Sequence, residues 1–293
     1  MVKAASKTEW NIIDITSQDV FIENGSNPDG IAMFGFTSLF LWKDYYNTRY
    51  SLINGNVVAK GTSDSGKNVI YFPRGLESSI KETVEYILDT VEGDISFMPL
   101  TADTAEKIRE YYPDAKIKTL DGKCEYVYSQ KDLALLEGKK YHAKRNHISK
   151  FNKQYESEYI EINEENLHIL RECAEHLFWK IENSPKQEYE AIKLAIDNFS
   201  ELKLRGCVIT VDGKYVAYSI GSMINENTAD IHFEKADREY DGSYAFVNNS
   251  FAKYGFHDAE YINREEDLGI EGLRKAKLSY YPIRLNQMYR ISI

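Results

Sequence analysis

The tripeptide Tyr-Tyr-Pro occurs twice, at 111–113 and 280–282, and each copy closes a helical run that follows a short apolar strand. Before the first copy come NVIYFP, a helix and ISFMPL. Before the second come TADIHFE, a helix and AEYINRE, and a further strand follows each copy. The same element order at two places in one chain limits the fold to two similar halves, and we read it as a tandem duplication. Alternating strand and helix predicts an α/β protein (α+β mixed sheet), with one domain over 1–135 and a second over 136–293. A chain of 293 residues is long enough for both to bury a core.

Local signals fill in the elements. FTSLFLWKDYY has helical periodicity, and RYSLINGNVVAKGT is a hairpin turning at Asn54-Gly55 or Asn56. Ile80, Val84, Ile87, Leu88 and Val91 fall at helical spacing behind a serine cap. A second helix is capped by Thr101 or Asp103, and DAKIKTLDGKCEYVYS returns as strand. In 139–155, Tyr141, Ile148, Phe151 and Tyr155 share one face of a connecting helix. Two helices follow, then a three-strand meander whose first turn is Asp212-Gly213. The chain ends in helix, strand, the helix EGLRKAKLSYY, and a last strand IRLNQMYRISI.

Composition excludes several functions. The charge of −10 disfavours bulk nonspecific nucleic-acid binding, because that affinity comes from neutralising phosphates. The basic character is local: Lys139, Lys140, Lys144, Arg145, Lys150 and Lys153 occur with no acid between Glu137 and Glu156. No apolar run reaches membrane-spanning length and the start lacks a signal-peptide pattern, so a cytoplasmic protein is expected. Cys124, Cys173 and Cys207 show no CxxC spacing, which fits reduced thiols, and no metal is expected. HExxH, GxSxG and GxxxxGK[ST] are absent.

The most informative stretch is IHFEKADREYDGSYAFVNN. Strand alternation sets Asp230, His232 and Glu234 on one face. Arg238, Gly242, Ser243 and Tyr244 then lead into a helix, where free backbone N–H groups and a nearby arginine suit a pyrophosphate. Asp241-Gly242-Ser243 is equally a plain helix cap. The acids Glu265, Glu266, Asp267 and Glu271 precede the basic helix of Arg274, Lys275 and Lys277. They either line a cleft that binds an amine or pair with those cations and cap the helix.

In element order, 160–293 resembles the GCN5-related N-acetyltransferase (GNAT) fold, whose third meander strand leads into an R/QxxGxG/A pyrophosphate loop. Here three residues separate Arg238 from Gly242, and Tyr244 stands where a second small residue is usual. Lys277-Leu-Ser-Tyr280-Tyr-Pro282 with Tyr289 is similar to the KxxFxP…Y signature of the phosphatidylglycerol lysyltransferase C-terminal domain family. REYDGSYAF and KRNHISKF also resemble that family. The resemblance implies two tandem GNAT-like acyl-CoA N-acyltransferase domains, related to the Fem aminoacyl transferases, and transfer of an aminoacyl group from tRNA to an amine or hydroxyl. The family's small, apolar LGxAPLS-like stretch is replaced here by NREEDLGIE, so a lipid acceptor is not implied.

On that basis the expected function is an acyl or aminoacyl transferase using a CoA thioester or aminoacyl-tRNA as donor, with no tightly bound cofactor. Glu234, His232 or Glu265 would be the base, Lys277 would steady negative charge, and Arg238, Gly242, Ser243 and Tyr244 would hold the donor phosphates. Lys140, Lys144, Arg145, Arg274 and Lys275 would meet RNA or phosphate. The first half, whose one echo of a phosphate loop is Arg74-Gly75, would be structural or acceptor-shaping. An ordinary acyl-CoA N-acyltransferase and a non-catalytic binding module are the alternatives.

Overall fold

The computed structural model describes residues 9–23, 27–63, 66–73, 79–181 and 185–293, so the Arg74-Gly75 echo lies outside the described residues. Two units result: Met1–Glu125 with Glu266–Glu271 and Leu285–Ile293, and Tyr126–Glu265 with Gly272–Arg284. The expected boundary at 135/136 differs in two ways. The chain leaves the first unit ten residues earlier, at Glu125, and it returns there twice near its end.

The first unit begins with β1 (Asn11–Ile12), α1 (Gln18–Glu23), α2 (Phe36–Leu41), β2 (Arg49–Ile53) and β3 (Asn56–Thr62). It continues with β4 (Asn68–Tyr71), α3 (Ile80–Thr90), β5 (Ile95–Leu100), α4 (Ala102–Tyr111) and β6 (Lys116–Thr119). Asn54 and Gly55 both take positive φ (50° and 80°), as a two-residue hairpin turn matched to strand twist requires. Thr101 caps α4 by accepting from the Thr104 N–H at 3.2 Å.

The second unit runs β7 (Glu125–Ser129), α5 (Gln130–Leu135), α6 (His142–Gln154), β8 (Ser157–Ile162), α7 (Leu167–Lys180), α8 (Lys186–Asp197) and β9 (Arg205–Val211). Then come β10 (Lys214–Met223), β11 (Thr228–Ala236), α9 (Ser243–Ser250), β12 (Tyr261–Glu266), α10 (Glu271–Leu278) and β13 (Arg284–Asn286); β14 (Tyr289–Ser292) lies back in the first unit. The sheet orders are β1-β2-β3-β4-β5-β14-β6 and β13-β7-β12-β11-β10-β9-β8. Each has an antiparallel meander that leads into a parallel pair, β4 with β5 and β11 with β12. The expected strand 283–293 is two strands in different sheets, and the 114–129 strand divides likewise into β6 and β7.

The meander of the second unit has four strands rather than three, because β8 pairs antiparallel with β9 from Ser157 to Ile162. Its core joins Ile209, Val216, Ala229, Val247, Phe251, Phe256 and Ile262. The first unit buries Ile70, Phe72, Val84, Ile87, Phe97, Leu100, Ile108 and Ile291. Cys173 and Cys207 are buried thiols, and Cys124 is likewise in no disulfide. Among the described residues no helix is long and apolar enough to cross a membrane.

Candidate active site

Strands β11 and β12 pair at Thr228 with Tyr261, Ala229 with Ile262 and Asp230 with Asn263, and then part. Parallel neighbours that separate at their carboxyl ends open a crevice, the usual place for a ligand in such sheets. A β-bulge shapes one wall. Ile220 of β10 pairs with Phe233 and Gly221 with Ile231, which leaves His232 as the extra residue of β11. Gly221 permits the close approach there, since a Cβ would lie 2.3 Å from the Asp230 carbonyl oxygen. The bulge breaks the alternation that set Asp230, His232 and Glu234 together, and the three divide between two clusters.

In the first cluster an Arg264 Nη2 on β12 donates to Glu234 at 2.8 Å, and the Asn248 amide on α9 donates to the same carboxylate at 3.0 Å. The guanidinium lies 5.0 Å from the Tyr280 ring centre and 5.7 Å from that of Tyr128. On the Tyr280 ring, 3.8 Å from its centre, sits the Lys144 ammonium. Burial, aided by the Arg264 charge, pulls the Lys144 pKa down to about 8, while burial pushes the Tyr280 phenol up to about 12. Tyr128 donates to the Lys277 carbonyl at 2.8 Å, and the buried Lys277 ammonium donates to the Arg264 carbonyl. Two buried polar atoms in this cluster, Arg264 Nη1 and Asn248 Oδ1, have no hydrogen-bond partner. An unpaired donor held away from water is costly to stability, so its retention points to a ligand group.

The second cluster holds His232, whose Nε2 is 2.8 Å from the Ser222 hydroxyl and whose Nδ1 is 3.1 Å from Asp230 and 3.7 Å from Glu265. Burial alone would lower the His232 pKa, but the Asp230 and Glu265 carboxylates outweigh it and raise the value to about 9. Glu265 has φ 56°, a left-handed turn held by its N–H donating to Asn263 Oδ1 at 2.8 Å. Glu234, His232, Glu265 and Lys277 therefore all gather about residues 264–265. The other acids serve elsewhere: Glu266 pairs with Lys123 at 2.7 Å, and Asp267 accepts from the Gly269 N–H.

The residues expected to hold phosphate fare differently. A Cβ on Gly242 would lie 2.6 Å from the His147 carbonyl oxygen and 3.1 Å from Phe151, so α6 packs directly against this turn. The Ser243 hydroxyl donates to the Asp237 carbonyl at 2.8 Å, and Asp241 holds the Lys150 ammonium. Arg238 is exposed and Tyr244 half-buried. Packing of α6 thus accounts for the glycine, and a hydrogen bond to the preceding loop for the serine.

Of the five cations, Lys144 belongs to the crevice. Lys140 is exposed and pairs with Asp132 at 2.9 Å, and Arg145 donates to the carbonyls of Leu136 and Gly138 behind α5. Arg274 and Lys275 lie exposed on α10. Sequence reasoning missed Arg264, Asn248 and Tyr128. Arg264 was concealed as the one cation in an acid-rich run, and the signal that could have found it was its position on a strand neighbouring the one that carries Glu234.

The fold recurs in known proteins. A conserved protein of unknown function from Bacteroides thetaiotaomicron is 31% identical, with 97% of this chain and 99% of that one covered and a TM-score of 0.85. L-PGS from Bacillus licheniformis superposes with a TM-score of 0.64 at 14% identity, covering 99% and 93%. FemX does so with 0.60 at 11%, covering 97% of each chain. The fold is a two-domain GNAT-like one. The family described as "Phosphatidylglycerol lysyltransferase, C-terminal" matches residues 31–292, and the chain belongs to it.

Proposed function

We propose that this protein transfers an aminoacyl group from a charged tRNA to an amine or hydroxyl acceptor at the crevice between β11 and β12. The observation that carries this reading is the unpaired, buried Arg264 Nη1 beside Lys144, on a wall formed by Tyr128 and Tyr280. The acceptor nitrogen or oxygen attacks the ester carbonyl, and Arg264 Nη1 donates to the oxygen that becomes negative. Glu234 and Asn248 fix the guanidinium. The neutral Lys144 amine, with its pKa near 8, takes the acceptor's proton and returns it to the departing ribose hydroxyl. The products are an aminoacylated acceptor and uncharged tRNA.

The family's name supplies the reaction class. A charged tRNA is favoured over a CoA thioester because α6 fills the turn at Gly242 and the Ser243 hydroxyl is already engaged. Exposed cations on α6 and α10 suit an RNA end. The test is to incubate the protein with labelled aminoacyl-tRNAs or labelled acyl-CoAs and a panel of amines, lipids and peptidoglycan precursors. Discharge of tRNA that is lost in Arg264→Gln supports the reading. Turnover with acyl-CoA alone replaces it with an ordinary N-acyltransferase, and no turnover with either donor leaves a binding module.

A further inference from the structure

We infer that Asp230, His232 and Glu265 form a binding site for one first-row divalent transition-metal ion, independent of the transfer reading. One donor atom from each lies within 4.8 Å of the other two. His232 Nδ1 stands 3.1 Å from Asp230 Oδ2 and 3.7 Å from Glu265 Oε1. Donors bonded to one ion at about 2.0–2.2 Å lie roughly 3–4 Å apart, which these separations match.

A second observation is independent of that clustering. The Asp230 side chain is fully buried, and while its Oδ2 stands 3.1 Å from His232 Nδ1 as an ion pair, its Oδ1 has no hydrogen-bond partner. The ring nitrogen and the two carboxylates therefore crowd one point, and their pairing leaves a buried carboxylate oxygen over. A buried carboxylate oxygen with no donor is disfavoured, and a cation at that point gives the Asp230 carboxylate a partner.

The surroundings suit a metal site. His232 Nε2 is 2.8 Å from the Ser222 hydroxyl, the kind of outer contact that fixes the tautomer and aims the other nitrogen at a metal. Metal binding displaces the Nδ1 proton of His232, and two carboxylates with the neutral imidazole so formed balance a divalent charge. The imidazole selects zinc, manganese or iron over magnesium or calcium, and three protein ligands leave coordination positions for water or substrate. The bulge at His232 and the left-handed turn at Glu265 both serve to direct ligands inward.

The test uses the untagged full chain, stripped with chelator and titrated with zinc, manganese and magnesium by calorimetry and thermal melting. We expect one zinc or manganese equivalent per chain, a melting point raised by several degrees, and no response to magnesium. Cobalt substitution should give visible d–d bands without thiolate charge transfer. Glu265→Gln should abolish saturable binding in a protein that still folds, and Ser222→Ala should weaken it about 10- to 100-fold. Absence of saturable binding to the stripped chain, or zinc binding unchanged in Glu265→Gln, would overturn the site.

Discussion

The two parallel strand pairs of this molecule have one topology and opposite contents. Beyond the last β4–β5 pair, at Ile70 and Phe97, the first unit continues with Phe72, whose ring stacks on Phe97 at 6.2 Å, and with Leu100. Beyond the last β11–β12 pair, at Asp230 and Asn263, the second continues with His232, Glu234, Arg264 and Glu265. One crevice is closed by stacked rings, and the other holds charges with unpaired atoms. The same backbone gives a core in one place and a candidate site in the other, so it is the side chains at the point of divergence, not the fold, on which the proposed function rests.

Exchanging those contents breaks the comparison most sharply. Arg264→Gln should lower transfer about 100- to 1,000-fold. By stranding the buried Glu234 carboxylate it should also cost about 3–5 kcal/mol in urea unfolding. The double variant Glu234→Leu with Arg264→Met, an imitation of the first unit, should recover most of that stability and none of the activity. In the first unit, Phe97→Ala should cost about 3–5 kcal/mol through the cavity it leaves, while the folded fraction keeps the parental transfer rate. A parallel fall in rate would show that the first crevice also takes part.

A smaller effect follows from Lys144. Its amine is protonated below about 8, so transfer should rise with pH and level off above that value. Lys144→Arg should flatten the profile and reduce the rate about tenfold or more. Because the folded pKa lies below the unfolded one, wild type should gain stability relative to Lys144→Met as pH rises from about 8 toward 10.5. The smallest difference is a control on topology. Gly55→Ala and Gly213→Ala, both at positive φ with open space around the added methyl, should each cost about 1–2 kcal/mol by chemical denaturation.

Much of the fold was legible because its signals are local. Asn54-Gly55 and Asp212-Gly213 turn where expected, and both Tyr-Tyr-Pro copies follow helices. What escaped depends on contacts distant in sequence. β8 is an edge strand, SEYIEI, whose three polar and three apolar residues do not alternate strictly. The division of 284–292 between two sheets leaves no trace in periodicity. In the site, Glu234, His232, Glu265 and Lys277 do converge. The sequence offers Lys144 only as one cation of a basic helix, because its place on the Tyr280 ring is set by a residue 136 positions later in the chain.

The place of β14 has a consequence for how such a chain matures. It pairs with β5 and β6 as the strand between them, yet it is made about 170 residues after β6. During synthesis the first unit emerges with that slot empty and two facing strand edges unsatisfied, while the whole second unit is still being added. The first half must wait, partly assembled, for the last. A truncation that removes Tyr289–Ser292 therefore injures the part of the protein that was made first.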